Sequence, residues 1–126
     1  MIEFRPAPLD SPVALELIEA VQQEYVVRYG SRDLSELSVD EFTPPQGIFV
    51  IGWDVDQAVA CGGVRLVTPS VGELKRMYVV PAARRRGIAR AMLANLEAHA
   101  RTLGATRLRL ETRPASTRGA LVVRKR

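Results

Sequence analysis

Residues 73–103, ELKRMYVVPAARRRGIARAMLANLEAHARTL, change hydrophobic period twice in one run, and the rest of the chain must fold around that change. Glu73 to Val79 is short, ends in an aromatic and a β-branched residue, and stops before Pro81, which predicts a strand. From Ile88 the apolar residues recur as Ile88, Met92, Leu96, Ala100 and Leu103, the spacing of one buried helix face, with Gly104 placed to cap it. Between them lies a basic loop, Pro81 to Gly87, ending Arg84-Arg85-Arg86-Gly87. Strand, basic glycine loop and helix together aim free backbone N–H groups and the positive end of a helix dipole at one point. The three arginines crowd the same point. Such a loop is either an ordinary solvated basic surface or a seat for a multiply charged anion. With Gly87 and Ala89 beside the arginines, the pattern favours a phosphate or pyrophosphate.

Two familiar phosphate loops are absent. No Gly-x-x-x-x-Gly-Lys-Ser/Thr run occurs, and of the Gly-x-Gly-x-x-Gly dinucleotide fingerprint only Gly87 is present. What stands here is Arg84-Arg85-Arg86-Gly87-Ile88-Ala89, an Arg-x-x-Gly-x-Ala run after a strand. This run resembles the acetyl-coenzyme A motif of the GNAT N-acetyltransferases, whose loop reads Arg/Gln-x-x-Gly-x-Gly/Ala. The likeness is specific over residues 73–104 and extends in element order over about residues 2–112.

The remaining elements fit one domain of 126 residues. Ile2 to Arg5 alternates as a strand. Ser11 with Pro12 behind it opens a helix whose apolar residues Val13, Leu17, Val21 and Tyr25 repeat at helical spacing up to Tyr29, before Gly30. Ser31 to Gln46 is polar and acidic, with Ser38 placed to cap a short turn. Gly47–Trp53 and Ala58–Thr68 predict a hairpin around Asp54 to Gln57. Gly62-Gly63 predicts a bulge or a close backbone approach. Ala105 to Thr112 alternates as a fifth strand, parallel to the Glu73 strand because a helix joins them. The predicted architecture is α/β: a mixed, mostly antiparallel sheet with a parallel strand pair and flanking helices, the pair splayed around the cofactor by the resemblance.

Composition narrows the function. One cysteine, Cys61, excludes an internal disulfide framework and fits a reducing cytoplasm, and one histidine, His99, argues against a zinc site. No apolar run approaches membrane-spanning length, and the N-terminus lacks the pattern of a signal peptide. Charge is asymmetric: residues 1–74 hold 4 Arg/Lys against 12 Asp/Glu, a net of −8, and residues 75–126 hold 14 against 2, a net of +12. The basic half suits an anionic ligand or, less well, nucleic acid, since few cations follow Arg90 on the helix and no reader motif is present.

The resemblance implies acetyl transfer from acetyl-CoA to a primary amine of a small molecule or peptide. It assigns the pyrophosphate to Arg84, Arg85, Arg86, Gly87, Ile88 and Ala89, and the pantetheine arm to the backbone of Met77, Tyr78 and Val79. It also implies that Tyr25, Tyr29, Asp33 and Glu36 face the acceptor, although a plain helix face and loop account for them as well. A lysine-like amine is free in only about one molecule in a few thousand at pH 7, so a carboxylate is wanted as proton acceptor. Glu73 is the candidate; its alternative is a strand-end carboxylate paired with Lys75 or Arg65.

After the fifth strand, family members continue with a helix bearing a tyrosine, then two more strands. Here residues 113–126 form an atypical tail, RPASTRGALVVRKR, without an aromatic and with one short strand expected at Ala120 to Val123. The missing tyrosine puts rapid catalysis in doubt and leaves a coenzyme A-binding remnant as an alternative. Truncation, a frameshift or a layer supplied by a second subunit would explain the tail. The fifth strand would then expose an edge, so a homodimer, with exchanged C-terminal segments as one form, is expected.

Overall fold

A computed structural model describes residues 1–110 and the strand Leu121–Val123. The element order is β1 (Ile2–Pro6), α1 (Pro12–Tyr29), a 3-10 turn (Asp40–Phe42), β2 (Gly47–Asp54), β3 (Gln57–Thr68), β4 (Val71–Val79), a second 3-10 turn (Pro81–Ala83), α2 (Ile88–Thr102), β5 (Arg107–Leu110) and β6 (Leu121–Val123). All six strands form one sheet in sequence order. Among the described strands only β4 and β5 run parallel, as the helical crossover requires.

The local signals act as their chemistry predicts. Ser11 Oγ accepts the Ala14 N–H at the start of α1, Pro12 occupies the first turn, and Gly30 at φ +83 closes the helix in the left-handed conformation. Before the first 3-10 turn Ser38 Oγ accepts from Glu41 N while Glu41 Oε1 accepts from Ser38 N, a reciprocal cap.

Two helices cover opposite faces of the sheet. The buried stripe of α2, Ile88, Met92, Leu96 and Ala100, packs with Ile48, Val50, Val64 and Leu74. Ala14, Leu17 and Val21 of α1 pack with Phe49, Ile51, Cys61 and Tyr78. Alternate residues of β2 therefore serve alternate faces, which is why that strand reads as a continuous apolar run. Each large side chain so buried contributes about 2 kcal/mol.

One expectation is corrected. β5 is not an edge among the described residues, because β6 pairs antiparallel with it, Leu108 opposite Val123 and Leu110 opposite Leu121. The backbone groups thought to be left open are bonded within the chain, so β5 offers no open edge for a second subunit. The expected continuation of β5 to Thr112, and the tail apart from Leu121–Val123, lie outside the described residues.

Candidate active site where β4 and β5 part

The parallel pairing of β4 with β5 covers only Val71–Leu74 and Arg107–Leu110. Beyond Leu74, β4 continues along β3 alone among the described residues, and its register slips between Cys61 and Gly63. The slip is a bulge at Arg76-Met77, with Arg76 at φ +57. Gly62 lies opposite. A Cβ there would stand 3.0 Å from Leu96 Cδ1 and 3.1 Å from Met77 Cγ, which explains the close approach that its sequence predicts. Val80 N donates to Val59 O on the β3 side. By the two-residue period of a strand, the N–H of Val79, and of Met77 before it, faces the edge that β5 has left. A cavity of about 410 Å³ opens there, lined by Met77, Tyr78 and Val79 from β4, by α1, and by the loop that enters α2.

That loop supplies the second half of the site. Gly87 at φ +75 is the N-cap of α2, and no side chain caps the helix. Ala91 N makes the first helical bond, to Gly87 O at 3.1 Å, so the N–H groups of Ile88, Ala89 and Arg90 have no partner within the helix. A left-handed residue followed by helical ones makes a concave nest of N–H groups suited to an anion. Arg85 also sits at positive φ, +67.

The three arginines take different roles. Arg84 Nε donates to Val79 O at 2.9 Å, its Nη2 donates to the Glu24 carboxylate, and its guanidinium lies 5.7 Å from the Tyr78 ring. It is a strut joining α1, β4 and the loop. Arg85 lines the cavity and makes no ion pair among the described residues. Arg86 is drawn aside to Asp54 Oδ2 at 3.2 Å and does not line the cavity, contrary to the picture of three converging cations.

Of the other predicted residues, Tyr25 and Tyr29 line the cavity, their rings 6.1 Å apart. Glu73 does not line it. It is 2% exposed, and Oε1 receives Arg65 Nε at 3.1 Å and Nη2 at 3.0 Å while Oε2 receives Arg109 Nη2 at 3.1 Å. Its position is that of a buried ion-pair centre, with Arg65 as the partner offered by the alternative reading.

Asp33 joins a polar cluster beside the cavity: Lys75 Nζ at 3.3 Å and Arg76 Nη1 at 2.6 Å both reach Oδ2, and Ser35 donates through N and Oγ to Oδ1. Burial opposes its charge, but the Ser35 bonds and the two cations outweigh that and hold the carboxyl well below the usual range. Glu36 is exposed and lines neither the cavity nor the smaller pocket around Met77.

Sequence reasoning missed Glu24 and Arg28, which line the cavity from α1. The signal was available: Val21, Glu24, Tyr25, Arg28 and Tyr29 recur at one-face spacing. Burial, and then the charge of Glu24, push the Tyr78 hydroxyl pKa up, keeping it protonated.

With this geometry in place, likenesses to known proteins become informative. Residues 14–121 match the acetyltransferase (GNAT) family. The chain is 32% identical over 109 residues to an IAA acetyltransferase of Azospirillum brasilense, covering 86% of this chain and 71% of the relative. Its fold matches the structure of a Klebsiella pneumoniae protein assigned to the acyl-CoA N-acyltransferases, with a TM-score of 0.70, 30% identity, and coverage of 87% and 70% of the two chains. A GNAT-family acetyltransferase of Elizabethkingia anophelis, solved with acetyl-CoA bound, superposes with a TM-score of 0.62 at 16% identity, over 86% of this chain and 63% of that one.

Proposed function

Because the chain belongs to the GNAT family of acetyltransferases, we propose that it transfers an acetyl group from acetyl-CoA to a primary amine of a small molecule or peptide. The observation that carries this reading is one cavity bounded at one end by the uncapped start of α2 and along its side by the unpaired edge of β4. A diphosphate joined to an amide-rich arm asks for those two surfaces in that order.

The residues fit the group. The N–H groups of Ile88 and Ala89, with Arg85, hold the pyrophosphate; Gly87 supplies the turn that aims them. The N–H groups of Met77 and Val79 and the C=O of Met77 on the open edge receive the pantetheine amides as a neighbouring strand would. When bound, acetyl-CoA supplies a thioester carbonyl activated for attack and a thiol that leaves. The N–H of Met77 or Val79 donates to the carbonyl oxygen as charge builds there, a contribution of about 3 kcal/mol in acyl transfer.

Glu24 is the only carboxylate lining the cavity among the described residues, and it takes the role of proton acceptor that the sequence had given to Glu73. Tyr25 borders both this cavity and the smaller pocket around Met77, and it protonates the departing sulfur.

Thiol release from acetyl-CoA over a panel of primary amines tests the proposal. Turnover that falls about 100-fold or more in Glu24→Gln, with acetyl-CoA binding retained, supports it. Tight acetyl-CoA binding without release for any amine would leave a binding protein in its place.

A further inference from the structure

Beside Met77, between the parting strands, lies a second pocket of about 80 Å³, lined by Tyr25, Asp33, Leu74, Lys75, Arg76, Met77 and Leu110. It shares Tyr25 and Met77 with the larger cavity, so its contents lie next to the reacting end of the proposed site. Two cations close it, Lys75 at 5% and Arg76 at 4% exposure. Both direct a nitrogen at the same oxygen, Asp33 Oδ2. Arg76 Nε is buried and finds no acceptor among the described residues. A buried guanidinium N–H without a partner is costly and uncommon, and here it is carried on a bulge residue at φ +57. The idle Nε, on a residue that lines the pocket, is left to be satisfied by an acceptor oxygen that enters the pocket.

We propose that the amine acceptor carries a carboxylate close to its nitrogen, as an amino acid does, and that Arg76 with Lys75 receives this carboxylate in the small pocket. The inference rests on the acetyl-transfer reading and adds the substrate class to it. The pocket is a fifth of the size of the main cavity and lined by two cations, which suits a carboxylate. With the carboxylate seated against Arg76, the amino nitrogen lies on the Met77 side, where the unpaired edge of β4 begins. The nitrogen forms an amide bond to the acetyl carbon as the carbon–sulfur bond breaks. One amine proton passes to Glu24, and the coenzyme sulfur is protonated from Tyr25, so the products are the N-acetylated acid and free thiol.

The test uses the whole chain, acetyl-CoA and matched acceptors: the protein amino acids and short ω-amino acids, each beside its amide and its decarboxylated amine. Thiol release gives kcat/KM for each member, and calorimetry gives the acetyl-CoA affinity. The expected result is a preference of about tenfold or more for the acid in the pairs that turn over. In Arg76→Lys, which keeps a cation but removes Nε, that ratio shrinks toward one while acetyl-CoA affinity stays within about threefold. A purely structural role for Arg76 would lower all acceptors together and leave the ratio alone. The wild-type comparison needs no variant, so a variant that fails to fold does not blunt the test. Equal rates for acids and amides overturn the carboxylate pocket and leave acetyl transfer standing. No thiol release with any acceptor, while acetyl-CoA binds, overturns both.

Discussion

Gly87 and Glu73 show what a single position does and does not disclose in sequence. Gly87 sits at φ +75, where a Cβ is strained, and a Cβ built there meets nothing within 4 Å. The constraint is therefore conformational, not steric, and it was legible because it is local. Gly87→Val should cost about 1–2 kcal/mol of stability and weaken acetyl-CoA binding by about tenfold or more, read by denaturant titration and calorimetry on the same sample. Glu73 lies outside the cavity lining; its strand and the pairing with Arg65 were legible, but Arg109, 36 residues away, was not. Glu73→Gln strips charge from a centre holding Arg65 and Arg109. The loss should be about 2 kcal/mol, with kcat within about threefold of wild type. A 100-fold fall in kcat for a folded Glu73→Gln protein would return the proton-accepting role to Glu73.

At the scale of elements, the helices were read nearly to the residue because their signals are near-neighbour ones. Ser11-Pro12 and Gly30 bound α1, and the stripe from Ile88 to Ala100 defines the buried face of α2. Ser11→Ala should cost about 1 kcal/mol, seen as a lowered midpoint of chemical unfolding with an unchanged slope. The bulge in β4 was legible only as a pair of glycines in the partner strand. Its position depends on a register shift against β3 and on Asp33, more than forty residues upstream, gripping Arg76. The parting of β4 from β5 is likewise a property of two strands and a crossover, invisible in either alone. The same holds for the arginine loop: its composition announced an anion, but Asp54 in the β2–β3 hairpin claims Arg86 and Glu24 in α1 claims Arg84.

Across the whole molecule, the charge asymmetry resolves into internal complementarity. Lys75 and Arg76 meet Asp33, Arg84 meets Glu24, Arg86 meets Asp54 and Arg109 meets Glu73, each pair joining the basic second half to the acidic first.

This arrangement also sets the response to acid. Asp33 has its pKa lowered in the fold, so its contribution is present above the unfolded carboxylate value of about 4 and is lost as pH falls below it. Asp33→Asn should therefore be less stable than wild type at pH 7, with the gap narrowing below about pH 4. Equal gaps at pH 7 and pH 3 in denaturant titrations would contradict this. Cys61 lies between α1 and the sheet, and burial pushes its thiol up to about 12. Native protein at pH 8 should resist alkylation until it is unfolded.

The opening of α2 is the proposed seat of the diphosphate, and backbone amide NMR reads that seat directly. Titration with acetyl-CoA should give the largest amide shifts at Gly87, Ile88 and Ala89, with a second group at Met77 and Val79. Saturable binding that moves amides elsewhere and leaves these five still would contradict it.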